Sequence, residues 1–386
     1  MPPDSPPPAP SLAEIARQWG RIGCIGFGGP PAHIALFRDL CVRRRTWLSE
    51  EQFERALAAT NLLPGPASTQ LAIYCAWRLR GARGAVLGGL GFILPGLLVI
   101  LGLSALFLSG SPPRWVRGAG LGAGAAVPAV AFVVGLGVAT PIWRRASGGS
   151  RPRLVVYALA GAIAAALSGP WLVLVLFACG AVELGWQRTP RGSLHVQIMP
   201  LLMIVGDPGG AGALVWTALK VGGLAFGGGF VIIPLMQADA VHTYHWMSES
   251  QFLNAVALGQ VTPGPLTQTV AVVGYAAGGI AWALLAALVA FLPSFSFVLL
   301  GAGRFERLLT DERVRAFLSG AAPAAAGAII GSSIPLAGAI GERWQWLVLA
   351  AAAIALLSRR SAVVTLLGAG LAGSLVALAG ALLPYP

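Results

Sequence analysis

The sequence predicts an all-α polytopic membrane protein: an inverted repeat of about 5+5 transmembrane helices with two re-entrant Pro-Gly-Pro helical hairpins. Three observations lead there. First, 56% of the 386 residues are hydrophobic and only 10% are Asp, Glu, Lys or Arg, against about 25% charged in a soluble domain. A surface facing water needs more charge than that, so a soluble enzyme is excluded. The mean hydropathy of +0.76 agrees, and the 52 glycines suit close helix–helix approach in lipid. Second, one block of sequence occurs twice. Third, the arginines sit in short clusters on alternate sides of the apolar segments, which is how topology is encoded.

The repeat sets the domain boundaries. Phe27-Gly28-Gly29 recurs as Phe226-Gly227-Gly228, Trp47-Leu48-Ser49-Glu50 as Trp246-Met247-Ser248-Glu249, and Pro64-Gly65-Pro66 as Pro263-Gly264-Pro265, all at one separation with no gap. Arg21 aligns with Lys220 and Gly23 with Gly222. Residues 1–11 are proline-rich without a basic start and read as a disordered tail. Repeat 1 is 12–187, a linker covers 188–210, and repeat 2 is 211–386.

Apolar runs place helices near 12–37 (broken at Gly28-Gly29-Pro30-Pro31), 84–108, 115–141, 153–167 and 170–186. The second copy places them near 211–236 (broken at Gly227-Gly228-Gly229), 280–303, 315–340, 344–357 and 361–383. Most are expected to cross a bilayer of ~30 Å at ~1.5 Å per residue. Between them, 53–63 and 67–79 are two shorter runs joined by Pro64-Gly65-Pro66, with a twin at 252–277. Proline breaks the helix at the joint, and neither run is long enough to cross. A hairpin with its tip near mid-bilayer is the expectation, and non-helical backbone there must be covered by protein or water.

The net charge of +12 belongs to topology rather than to a nucleic-acid surface, for which no module is visible. Arg38, Arg43, Arg44 and Arg45 precede the first hairpin and Arg78, Arg80 and Arg83 follow it, whereas 237–251 and 276–281 hold no Lys or Arg. The positive-inside rule puts the first pair of flanks in the cytoplasm and the second outside. Five spans per copy invert the second copy, so parity and charge agree.

Inverted repeats with broken helices place their sites where the copies meet. The second run of each hairpin starts at Pro-Gly-Pro, aiming a helix N-terminus with unpaired N–H groups at mid-bilayer, a setting that favours oxyanions. Ser68 and Thr69 occupy that first turn in one copy, Thr267 and Gln268 in the other. Arg21 and Lys220 are matched cations inside apolar helices, facing either an anion or an interface to which they snorkel. Asn61 and Gln260 serve the ligand or cap the tip backbone. The candidate substrate-binding set is Arg21, Gly28, Gly29, Asn61, Pro64, Gly65, Pro66, Ser68 and Thr69 in the first copy. Its second half is Lys220, Gly227, Gly228, Gln260, Pro263, Gly264, Pro265, Thr267 and Gln268.

Glu54 with Arg55, Glu183 and His33 are proton-carrier candidates set against the plainer reading of local pairing. Trp47 and Trp246 read as interface anchors. The glycines of 118–124 look like a dinucleotide loop but lie inside a spanning segment, so helix packing explains them. Lys220 is the only lysine and is not followed by Ser or Thr, so there is no Walker A loop. The scattered Cys24, Cys41, Cys75 and Cys179 suggest neither a disulfide framework nor a metal site.

Phe27-Gly28-Gly29-Pro30 with Ala32-His33, Trp47-Leu48-Ser49-Glu50, Leu63-Pro64-Gly65-Pro66-Ala67-Ser68 and their second-half counterparts resemble the chromate ion transporter (CHR) family in its two-domain bacterial form. Leu94-Pro95 and Leu292-Pro293-Ser294 also fit, while Gly26 and Ala225 stand where the family usually has a small hydroxyl residue. The resemblance implies a multi-pass inner-membrane protein that exports chromate, a close analogue of sulfate, and confers chromate resistance without a cofactor. The alternatives are a sulfate or other oxyanion carrier of the same fold, or an anion channel. Protons as a coupling ion and a homodimeric assembly both stay open.

Overall fold

The computed structural model describes residues 9–63, 65–108, 110–167, 172–187, 210–225, 230–301 and 311–380. Helix α1 (Leu12–Ile25) starts on the Ser11 side chain, which accepts from the Glu14 N–H at 3.1 Å, and it buries Ile15, Trp19, Ile22 and Gly23. That i, i+4, i+7, i+8 spacing gives one buried stripe. Arg17, Arg21 and Cys24 line the exposed face. Gly28 (φ 97°) and Gly29 (φ 74°) then break the helix in a region that side chains with a Cβ rarely adopt. Helix α2 (Pro30–Arg38) restarts on Pro30 and Pro31, whose missing N–H groups cost nothing in a first turn.

Helix α3 (Glu50–Leu62) opens with a capping box between Ser49 and Gln52. Helix α4 (Ala67–Phe107) is broken at Arg80 and Gly81, the latter at φ 60°, so it comprises the expected hairpin arm and the following apolar helix. Helices α5 (Arg114–Arg145), α6 (Arg151–Leu167) and α7 (Leu172–Trp186) complete the first half.

The second half repeats the pattern with α8 (Ala211–Gly223), α9 (Ile232–Gln237), α10 (Glu249–Val261), α11 (Thr269–Gly278) and α12 (Ile280–Gly301). It ends with α13 (Glu312–Gly338), α14 (Arg343–Leu357) and α15 (Ala362–Leu378). A second capping box joins Ser248 and Gln251, Gly279 (φ 77°) separates α11 from α12, and Thr46 and His245 share a positive φ. Both α2 and α9 continue into a π-helical turn, 39–44 and 238–243. The sequence gives no warning of those turns.

Among the described residues four helices are long and apolar enough to cross a membrane, α4, α5, α12 and α13. The helix α1 has 14 residues, about 21 Å, because the glycine break cuts it short. The apolar α7, α14 and α15 are shorter as well. The tail is not wholly loose, since Pro10 is buried and its carbonyl accepts from Arg80 Nε at 2.5 Å; residues 1–8 lie outside the described residues. Of the cysteines, Cys41, Cys75 and Cys179 are buried as packing residues should be, but Cys24 is exposed.

The halves are continuous in sequence and interlaced in space. Helix α5 of the first half packs against α10, α13, α14 and α15 of the second, while α13 packs against α5, α6 and α7 of the first. Small residues allow this. A Cβ on Gly118 would lie 2.3 Å from the Gly373 carbonyl oxygen, and one on Gly122 2.2 Å from that of Ala369. The glycine run at 118–124 is thus a helix-packing face. Gly161 and Gly327 bring α6 and α13 equally close, with backbone oxygens 1.9 and 1.8 Å from their virtual Cβ positions.

Candidate functional site

Each Pro-Gly-Pro corner is seated on the other half. In the second half, Gly264 (φ 92°) turns the chain and its N–H donates to the Gly26 carbonyl at 2.9 Å, at the end of α1. The same carbonyl accepts from His33 Nε2 at 2.9 Å. That leaves His33 Nδ1 as an acceptor, buried and without a hydrogen-bond partner. Gln268 Nε2 donates to the Ile93 carbonyl at 2.9 Å, and a Cβ on Gly96 would sit 2.0 Å from the Pro263 oxygen. The corner therefore rests against residues 92–96, near the middle of the second segment of α4.

In the first half, Gly65 (φ 120°) places its virtual Cβ 3.1 Å from the Gly222 carbonyl oxygen. Gly222 itself packs on Ala290, in the middle of α12. Pro66 ends the corner and its carbonyl accepts from the Thr69 and Gln70 N–H groups. The second corner thus meets the centre of α4, and the first meets the last turn of α8, which packs on the centre of α12.

The first turns after the corners hold polar atoms that nothing in the protein satisfies. Thr69 Oγ1, Thr267 Oγ1 and Gln268 Oε1 are buried without a hydrogen-bond partner, as is Gln260 Nε2 on the approach to the second corner. Buried polar groups are nearly always paired, so three unpaired atoms in the two matched turns and a fourth on the approach set the corners apart. Gly65, Pro66, Ser68, Pro263, Gly264 and Pro265 are buried around them. Pro64, Gly227 and Gly228 lie outside the described residues.

The cations are not brought to these turns as equals. Arg21 is exposed on α1, and no carboxylate lies within ion-pair distance of it among the described residues. Lys220 is half-buried and bonded at 2.5 Å to Asp239 Oδ2, which also accepts from Thr217 Oγ1 at 2.8 Å. Arg21 is therefore exposed, whereas Lys220 is paired with a carboxylate. The position matching Asp239 is Leu40, so the difference lies in the sequence itself. Asp239 and Thr217 were missed because Asp239 is a single acid in the long apolar stretch 230–241; its isolation there is the signal that could have found it.

Matched positions also differ in cover. Glu51, Glu54, Arg55, Ala58 and Asn61 are exposed along α3, whereas no residue of α10 is exposed, because α4, α5 and α15 surround it. Gly28 is exposed and Gly29 half-buried. The proton-carrier candidates pair locally. Glu54 bonds Arg38, Arg55 meets Glu51 at 2.6 Å, and Glu183 accepts from Arg153 at 3.2 Å, Tyr157 at 2.9 Å and Gln187 at 2.9 Å. The tryptophans pack as well as anchor: Trp47 stacks on Trp19 and Trp246 on Tyr244. Of two cavities, one of about 320 Å³ lies among α5, α6 and α13, and one of about 200 Å³ is lined by Asn254, Leu258 and Val261, with Val261 two residues before Pro263.

The chain is similar to known proteins over nearly its whole length. The profile of a family described as chromate transporter matches residues 13–184 and 212–384. The chromate transport protein of Cupriavidus metallidurans is 31% identical over 86% of this chain and 84% of its own length. That of Pseudomonas aeruginosa is 30% identical over 96% and 94%. The probable chromate transport protein of Synechococcus elongatus is 29% identical over 85% of each. No solved structure matches the chain.

Proposed function

Because the chain belongs to the chromate transporter family, as a multi-pass membrane protein, we propose that it is a secondary carrier in the inner membrane. It exports chromate by alternating access and so confers chromate resistance. The two halves are antiparallel repeats, the Pro-Gly-Pro hairpins are re-entrant, and the anion passes between the corners. The observation that carries this reading is the pair of unpaired buried hydroxyls, Thr69 Oγ1 and Thr267 Oγ1, at two matched helix starts. Hydroxyl groups and the unpaired Gln260 Nε2 on the approach to the second corner are donors from which a tetrahedral oxyanion accepts. Gly28 and Gly29 let the backbone approach the same path, with Asn61 and Gln260 at its sides.

The unequal cover of the halves supports alternation. Helix α10 is enclosed and α3 has an open, charged face, as expected when one conformation of a rocking pair is open toward one side. Arg21 stands on the open side and attracts the anion; Lys220 stands on the closed side. The membrane potential alone favours export, since two charges at 100 mV amount to ~4.6 kcal/mol.

The test is flux of labelled chromate in proteoliposomes with imposed voltage and with sulfate as competitor. Saturable flux accelerated by substrate on the opposite side is expected. Unitary currents would turn the carrier into a channel, and preference for sulfate would change the substrate.

A further inference from the structure

Lys220 lies in the last turn of α8 and shares the two-centre environment of Asp239 and Thr217. The side chains of Lys220 and Asp239 are 16% and 6% exposed. An oxyanion that binds Lys220 must displace the carboxylate already there, because one ammonium cannot neutralise a dianion and a carboxylate together in a site of low dielectric. A displaced, buried carboxylate beside a dianion is held only in its neutral form. Resting on the carrier reading above, we propose that Asp239 is a proton site linked to the anion site at Lys220, so that one proton travels with each dianion.

The balance is simple. On the side where the anion enters, Asp239 takes a proton from water, forming one O–H bond, as Lys220 passes to the anion. On the far side that bond ionises, the proton leaves with the anion, and the carboxylate returns to Lys220. The net charge moved per turnover is one instead of two. Only the second half can do this, since Leu40 stands at the matching position.

The groups able to compete are few. On the π-helical turn of Asp239 itself is His242, whose Nε2 lies 3.6 Å from Glu249 at the head of α10. Glu249 also accepts from Gln237 Nε2 at 2.9 Å. Helix α8 contributes Lys220 with Trp216, whose ring centre is 5.5 Å from Nζ. Helix α13 packs on α9, but its ionisable side chains Glu312, Arg313 and Arg315 are confined to its first turn. His242 and Glu249 are more exposed, at 57% and 39%, and already answer one another.

The experiment uses the full chain in proteoliposomes, alkaline on both sides so that chromate stays a dianion, with voltage clamped by a potassium ionophore. At zero voltage, the equilibrium chromate ratio of the wild type should change about tenfold per unit of pH difference. Its voltage response should be about tenfold per ~59 mV. Asp239→Asn should accumulate chromate without regard to the pH difference and respond about a hundredfold over the same voltage. A wild type that moves no chromate overturns the carrier reading and this inference with it. A wild type that moves chromate with a pH-independent ratio overturns the inference alone. An Asp239→Asn protein that keeps the tenfold response removes Asp239 from the role.

Discussion

Replacing Gly96 by alanine drives a methyl group into the seat of the second corner. The new Cβ would lie 2.0 Å from the Pro263 carbonyl oxygen and 2.6 Å from Gln268 Oε1. Carbon and oxygen need roughly 1 Å more than the first of these distances, and the obstacle is backbone, so α4 and the corner must part. The corner is held by two hydrogen bonds, Gly264 to Gly26 and Gln268 to Ile93, each worth about 0.5–1.5 kcal/mol. Overpacking itself costs about 1–3 kcal/mol. A destabilisation of about 3 kcal/mol follows, together with loss of flux. Gly102→Ala is the control, because nothing lies within 4 Å of its virtual Cβ; it should stay within about 0.5 kcal/mol. Thermal unfolding in detergent and chromate flux in vesicles read both effects. If the two variants melt and transport alike, the corner does not sit where α4 receives it.

Thr69→Val and Thr267→Val remove hydroxyls that have no partner in the protein, so stability should hold while KM for chromate rises about tenfold, the worth of one charged hydrogen bond; unchanged KM would take these residues out of the path. Arg21→Ala, at an exposed position, should leave melting unchanged within about 0.5 kcal/mol and lower flux at least about tenfold, and wild-type rates would remove the cation from the entrance. Glu183→Ala strips the bonds from Arg153, Tyr157 and Gln187 and should cost about 2–3 kcal/mol, discounted from the fully buried case because Arg153 keeps access to water. Flux per folded molecule should not change in that variant, and a flux defect with normal melting would make Glu183 a transport residue.

Local grammar was legible where one residue type forces the backbone. Gly28 and Gly29 ahead of Pro30 and Pro31 announced the first break, the separate apolar runs around Gly81 announced the division within α4, and the two Pro-Gly-Pro corners announced the joints. The small-residue run 118–124 was correctly separated from a nucleotide loop because it has helix-packing partners and no strand before it. What stayed hidden depends on partners distant in sequence. The pairing of Lys220 with Asp239 cannot be seen from the symmetric placement of Arg21 and Lys220. The exposure of α3 against the enclosure of α10 is likewise tertiary, although the exchange of Glu54 and Arg55 for Leu253 and Asn254 hinted at it.

The exchange of partners between α5 and α13 sets an order of assembly. Synthesis delivers α5 to the bilayer long before α15, the helix that covers Gly118 and Gly122, has left the ribosome. Until then the glycine face of α5 is bare to lipid, and the early half has no finished form of its own. A stop codon at residue 361 would remove Ala362–Leu378 and leave the N-terminal bundle without its closing wall. A nonsense lesion just before that helix should therefore be as damaging as one in the middle of the chain.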